Sequence, residues 1–213
     1  VRWSILIASH CSRVESLSRL ADSLASQLQP GVEVLVLWNR GRLSIAEYRE
    51  ALVSDARGEW VSHVDDDDRV AKDFVSSILG ALESEPDYVG FEVEVLDIAG
   101  AIGRKDRKWR AVHSLTTKQW HQKDNVFYRH VSHLNPLRRD LALQGVWSGP
   151  YSEDHRWADS VIAHVKTEVF IPRTLYFYDF NQAASVRSQK HDPRKALRPV
   201  LPDGFRYHPD SED

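Results

Sequence analysis

A chain of 213 residues, 42% hydrophobic and 28% charged, holds enough material for one domain with a sizeable core. Its formal net charge of −3 supplies no global attraction to nucleic acid or to an anionic membrane, so any such contact must come from a local patch. The single cysteine, Cys11, excludes an intramolecular disulfide and suits a reducing compartment, expected to be the cytoplasm, and no apolar run approaches the roughly 18 residues of a membrane-spanning helix.

The first half alternates strand and helix signals. Trp3 to Ala8 is a short apolar run, the pattern of a buried parallel strand and not of a signal peptide. A helix follows, with Ser12 and Glu15 spaced as a capping box and Val14, Leu17, Leu20, Ala21, Leu24 and Leu28 at helical spacing. Pro30-Gly31 ends it, and Val32 to Trp38 forms the second strand. Ser44 and Glu47 make a second capping box, Ile45, Tyr48, Leu52 and Ala56 mark one apolar face, and Gly58 is the predicted stop. Glu59 to Val64 is the third strand and runs into four aspartates. Phe74, Val75, Ile78, Leu79 and Leu82 mark a helix, and Tyr88 to Leu96 a further strand.

That order predicts a largely parallel α/β sheet covered on both faces, with ligands outside the carboxyl ends of its strands. Ser9, Asn39 and the Asp65 cluster all fall at such ends. The second half is less regular. Residues 97–125, including Arg104 to Arg110, read as a polar, basic loop. Leu137 to Gln144 reads as a short helix, and Ser152 as the cap of a helix reaching about Val165. Glu168–Ile171 and Thr174–Phe180 read as two closing strands, and residues 187–213 as a tail, partly ordered over the site.

The four consecutive aspartates carry the strongest chemical signal. Like charges this close repel and raise one another's pKa unless a cation neutralises them. Hard oxygen ligands suit Mg²⁺ or Mn²⁺, which take one or two carboxylates together with substrate phosphates. The competing explanation is a solvated acidic turn that caps the next helix. Capping accounts for one or two aspartates, not for four directly after Val61 to Val64.

The order of motifs resembles the family 2 glycosyltransferases, the inverting GT-A type, and in particular small phage and bacterial members. The resemblance rests on Ile5 to Arg13, a strand and polar turn carrying an arginine; on Asn39 at a strand end; on Ala56-Arg-Gly-Glu-Trp60; on Asp65 to Asp68 as the Asp-x-Asp motif; and on Glu153-Asp154 as the later Glu-Asp signature. Ser44 to Arg49 looks like a variant of a Ser-x-Gly-x-Lys-Arg helix start, with Ala46 and Tyr48 in place of glycine and lysine. Asn39 stands where an aspartate is common. The resemblance implies a GT-A, Rossmann-like fold: a mostly parallel sheet sandwiched by helices, with an irregular acceptor-side half. It would form a single domain over 1–186, with a nucleotide-sugar half at 1–96, an acceptor half at 97–186, and a tail at 187–213.

The resemblance implies transfer of a sugar from a nucleoside-diphosphate sugar, by default a UDP-sugar, with inversion at the anomeric carbon. Asp67 and then Asp65 are the implied ligands of Mn²⁺ or Mg²⁺, with Asp66 or Asp68 on ribose or a metal-bound water. His191 is the implied third ligand and His133 its competitor. Asp154 is the implied general base, with Glu153 second; first-turn capping is the plain alternative for both. Ser9 and Arg13 are candidates for the base and phosphate region, Asn39 for the nucleotide, and Arg49 for phosphate or for fixing the aspartates, against an ordinary helix salt bridge for the arginines. His133 and Trp147 are acceptor-side candidates, Trp147 as an exposed loop residue and Trp157 as core. The acceptor is a saccharide or glycan hydroxyl, a protein side chain, or a hydroxymethylated DNA base met by Arg104–Arg110 and Arg187–Arg198, in a host cytoplasm if the chain is phage-borne. A nucleotidyltransferase is the rival enzyme, disfavoured because Ser9 to Arg13 contains no glycine to cradle a triphosphate. A non-catalytic nucleotide-sugar or glycan-binding module is the rival outside enzymes.

Overall fold

Alternation along the first strands sets the layers. In a computed structural model describing residues 1–39, 43–97, 107–149, 152–180, 198–209 and 211, β1 (Trp3–His10) sends Ile5 and Ile7 to one face and Leu6 to the other. It pairs in parallel with β2 (Val32–Asn39), which sends Val34, Val36 and Trp38 one way and Leu35 and Leu37 the other. The helix between them, α1 (Val14–Ala25), covers the first face with Leu17, Leu20 and Leu24. The next helix, α2 (Ile45–Asp55), covers the opposite face with Tyr48, Leu52 and Val53. Ser44 and Glu47 cap it reciprocally as predicted. Ser12 and Glu15 do not. The His10 ring accepts the Ser12 N–H at 3.1 Å, the chain passes through a 3-10 turn over Cys11–Arg13, and Arg13 becomes the uncapped N-terminus of α1.

The third strand, β3 (Trp60–His63), lies parallel to β1 on its other side. Gly58 is not a helix stop, since the chain already leaves α2 in extended conformation at Ala56. It is there because Ser4 comes too close for a side chain: a Cβ would sit 2.5 Å from the Ser4 nitrogen. The Gly58 N–H instead donates to the Ser4 hydroxyl at 2.8 Å. After the aspartates come β4 (Arg69–Val70), α3 (Phe74–Leu82) on the α1 face, and β5 (Tyr88–Asp97).

Of residues 97–125, read as a loop, 98–106 lie outside the described residues, and the stretch 107–129, which includes 107–125, is largely strand. It contains β6 (Arg107–His113), antiparallel to β5, then β7 (His121–Lys123) and β8 (Val126–Arg129). The basic residues alternate with buried ones. Trp109, Ala111 and His113 face inward, while Lys108 and Arg110 reach Glu94 and Glu92 on β5 at 2.9 and 3.3 Å. Pairing across the strands thus stabilises a sequence too charged to read as a strand alone.

Leu137 to Gln144 resolves into β9 (Leu137–Arg138) and one turn of helix, α4 (Arg139–Ala142). The next helix, α5 (Glu153–Val161), packs Trp157 and Val161 on the α2 face and runs into a 3-10 turn over Ile162–His164. Ser152 makes no capping bond and is left-handed at φ 53°. The two predicted closing strands are one, β10 (Glu168–Phe180), irregular between Ile171 and Tyr176, parallel to β5 and antiparallel to β4. Within the segment read as a tail, β11 (Phe205–Tyr207) joins the sheet beside β2, with Arg206 clamped by Glu33 and Asp55. The sheet order is β11-β2-β1-β3-β9-β5-β6-β8-β7, with β4 and β10 off that path. No helix among the described residues is long and apolar enough to cross a membrane.

Candidate active site

The carboxyl ends of β1, β2 and β3 bring Ser9, Asn39 and the aspartates to one rim, and the aspartates divide by alternation. Asp66 and Asp68 point inward, 1% and 4% exposed. Asp65 and Asp67 point outward, with side chains 28% and 32% exposed. Asp66 accepts from the Ser9 hydroxyl at 2.7 Å and from Arg13 at 2.7 Å, and Arg13 also lies 3.0 Å from Asp67. Burial pushes the Asp66 carboxyl up to about 6, against the Arg13 guanidinium and the Ser9 hydroxyl, which favour its charge. Asp68 accepts from the Tyr176 hydroxyl at 2.7 Å and from the Asp179 N–H at 3.0 Å. The Tyr176 oxygen in turn accepts the Asp65 N–H at 3.0 Å. Burial, with Asp65 and Asp67 beside it, holds the Asp68 carboxyl well above the usual range. The inward pair therefore fixes the turn, and the outward pair is part-exposed, with Asp65 in the lining of a cavity.

Arg49 joins this rim to the start of α5. It is 5% exposed and donates to Glu153 at 2.8 Å and to Asp65 at 3.2 Å, with its guanidinium 5.6 Å from the Trp147 ring centre. Asp154, next in the helix, lines a cavity of about 460 Å³ together with Arg49, Asp65 and Glu153. Val93, Val95, Ala111, Phe127 and Leu134 supply its apolar wall; His113, His133, Arg129 and Tyr178 supply the remaining polar groups. His113 is bonded to the Asn135 carbonyl at 2.7 Å, and burial pushes its pKa down to about 3. Burial, Arg49 and His63 likewise hold the His133 ring neutral.

The fold thus gathers Arg49, Asp65, Glu153, Asp154 and His133 around one cavity and sets Ser9, Arg13, Asp66 and Asp67 beside it. Asn39 is buried at the end of β2. Trp147 is half-buried, not exposed: it stacks on Trp157 at 4.9 Å and lies outside the cavity lining, so its ring serves packing. His191 lies outside the described residues. Sequence reasoning missed Tyr176, Tyr178, His113 and Arg129. The first two lie in a strand whose alternation is broken, His113 in the segment read as a loop, and Arg129 just beyond it, in a stretch given no element from the sequence.

Among the described residues no three His, Cys, Asp or Glu side chains form a ready-made cation cage. The part-exposed carboxylates of Asp65 and Asp67, each engaged by an arginine through Oδ1, are nevertheless residues that could join a Mg²⁺ or Mn²⁺ shell completed by substrate phosphates. Burial also raises the Asp67 carboxyl, a cost that a cation would remove.

The sequence profile described as Glycosyl transferase family 2 matches residues 2–145. The chain is similar in structure to S. aureus TarS 1–349 in complex with UDP-GlcNAc, with a TM-score of 0.65 and 13% identity over 90% of this chain and 62% of that one. It is similar also to TarS 1–349 in complex with UDP, with a TM-score of 0.63 and 14% identity over 84% of this chain and 61% of that one. A longer TarS structure aligns with a TM-score of 0.61 and 14% identity, over 84% of this chain and 37% of that one. The chain therefore spans about three fifths of TarS 1–349 or less, and at such identity the likeness is one of fold. No curated protein matches the sequence.

Proposed function

The chain belongs to glycosyl transferase family 2 and has its GT-A fold, and on that premise we propose that it moves a sugar from a UDP-sugar to an acceptor hydroxyl, using a divalent cation and inverting the anomeric carbon. One observation carries the reading. A single cavity has Asp65 of the aspartate turn and Asp154 of α5 among its lining residues, with Arg49 between them, bonded to Asp65 and to Glu153. UDP as the leaving group is supported by TarS, which has the same fold and was solved with UDP and with UDP-GlcNAc.

Asp65 and Asp67 would hold Mn²⁺ or Mg²⁺, which when bound neutralises charge building on the leaving diphosphate. Asp154 accepts the proton of the acceptor hydroxyl as its oxygen attacks the anomeric carbon and the bond to the diphosphate breaks. Arg49 fixes Glu153, the neighbour of that base, in register with Asp65. Ser9 and Arg13, read from sequence as nucleotide contacts, act on Asp66 and hold the aspartate turn. Asn39, buried at the end of β2, would support the nucleotide site, and His133, in the cavity lining, would meet the acceptor.

A saccharide or glycan hydroxyl is favoured over a hydroxymethylated DNA base. Of the basic residues read as meeting DNA phosphates, Lys108 and Arg110 are already paired to Glu94 and Glu92, whereas Arg104, Lys105 and residues 187–197 lie outside the described residues. The third metal ligand assigned to His191 remains a proposal. The test is calorimetric titration of UDP with and without Mn²⁺ into the wild type and Asp67→Ala. Metal-dependent UDP binding, lost in the variant, supports the reading; equal wild-type affinity with and without Mn²⁺ removes the cation from it.

A further inference from the structure

The cavity has two cations in its lining, and they are differently placed. Arg49 is neutralised by Asp65 and Glu153. Arg129, at the end of β8, has no carboxylate of the described residues in ion-pair contact with its guanidinium and no side-chain hydrogen bond among them. Its guanidinium lies 4.4 Å from the Trp120 ring centre, and its cross-strand neighbour on β6 is His113, which is neutral. Asp154 acts on it only from beyond pairing distance. Burial disfavours its charged form, and a guanidinium does not lose its proton in a protein, so the cost stays in the fold.

We propose that Arg129 is a specificity-determining residue that receives a carboxylate or phosphate group carried by the substrate, so that the sugar transferred or the acceptor is acidic. The inference rests on the transferase reading above and deepens it. A guanidinium presents donors in a planar fork that matches a carboxylate or phosphate through two parallel bonds. Trp120 covers one face of the group, which leaves its edge for such pairing. Phe127 and Ala111 supply apolar wall of the same cavity, and its acceptors that act on Arg129, Asp154 and Tyr178, make no ion pair or hydrogen bond with it. A substrate held for proton transfer to Asp154 occupies the same cavity. An acidic group a few bonds from the reacting centre therefore comes within reach of Arg129. A neutral substrate would leave this half-buried cation without an anionic partner.

The acidic group has two possible carriers, the donor sugar and the acceptor, and a two-armed experiment separates them. Calorimetry with Mn²⁺ present compares UDP-glucuronate with UDP-glucose; with Mn²⁺ and UDP present it compares glucose 6-phosphate with glucose. The wild type is expected to prefer the anionic member of one pair by about tenfold or more, as a charge-assisted bond would give. The pair showing the preference identifies the carrier. Arg129→Met is expected to abolish that preference and leave UDP binding unchanged; Arg129→Lys, which keeps charge without the fork, is expected to retain part of it. No anionic preference in either wild-type pair overturns the proposal, whether or not a variant folds, as does a preference that survives in Arg129→Met. If UDP with Mn²⁺ binds normally in those cases, the transferase reading stands and only this inference falls; absence of UDP binding removes both.

Discussion

Replacing Arg49 with methionine tests the arrangement of the site through its stability. The substitution keeps a stem of similar length over Trp147 and removes the charge between Asp65 and Glu153. Removing one partner of a buried ion pair typically costs about 3–5 kcal/mol, because the other charge stays behind uncompensated. Here the two carboxylates differ. The Glu153 side chain is 11% exposed and cannot rehydrate, whereas that of Asp65, 28% exposed, partly can. The lower end of the range, about 3 kcal/mol, is therefore expected, or a fall in Tm of about 6–12 °C for a domain of this size. Urea unfolding followed by the fluorescence of the seven tryptophans reads it directly. Adding Glu153→Gln should recover about 1 kcal/mol or more, since the stranded charge is then gone. A loss below about 0.5 kcal/mol in Arg49→Met, or strict additivity in the double variant, would refute the view that Arg49 holds these carboxylates together.

Tyr176→Phe removes one hydroxyl that donates to Asp68 and accepts from the Asp65 N–H; a stability loss of about 2–3 kcal/mol is expected by denaturant unfolding, and a loss under about 0.5 kcal/mol would detach Tyr176 from the aspartate turn. His113→Gln tests the buried neutral imidazole. Its folded pKa of about 3 lies below the ordinary 6.5, so its contribution is full above pH 6.5 and declines as pH falls toward 3, by about 1.4 kcal/mol per unit. The wild type should therefore lose stability relative to His113→Gln between pH 6.5 and 4.5, and parallel pH profiles for the two proteins would contradict that burial.

Legibility in the sequence followed the range of the interactions. Residues Trp3 to Ala8 and Val32 to Trp38 are apolar on both faces because helices cover both, and such runs identify themselves. The Ser44–Glu47 cap is local and formed; the identical spacing at Ser12 and Glu15 failed because the His10 side chain reached the Ser12 N–H first. Strand β6 was hidden because its charges are matched by glutamates on a neighbouring strand. Glu168–Ile171 and Thr174–Phe180 read as two strands, whereas the one strand β10 absorbs the point between them, where Pro172 lies, as an irregularity between Ile171 and Thr174. In the site, residue order and the family resemblance singled out the segments at Asp65 and Glu153, which the fold brings to one cavity. The division of the aspartates into inward and outward pairs was not, because Tyr176 and Asp179 lie more than a hundred positions away. Arg129 carries no motif; only the path of β8 brings it to the cavity.

The most direct test of sugar transfer at this cavity is the Asp154→Asn variant, assayed together for turnover of a UDP-sugar and for UDP affinity with Mn²⁺. Transfer slowed by about a hundredfold or more, with the UDP Kd unchanged, is the predicted result for loss of a general base on the acceptor side. Near-normal turnover would take the base away from Asp154, and with it the assignment of this cavity to the reaction.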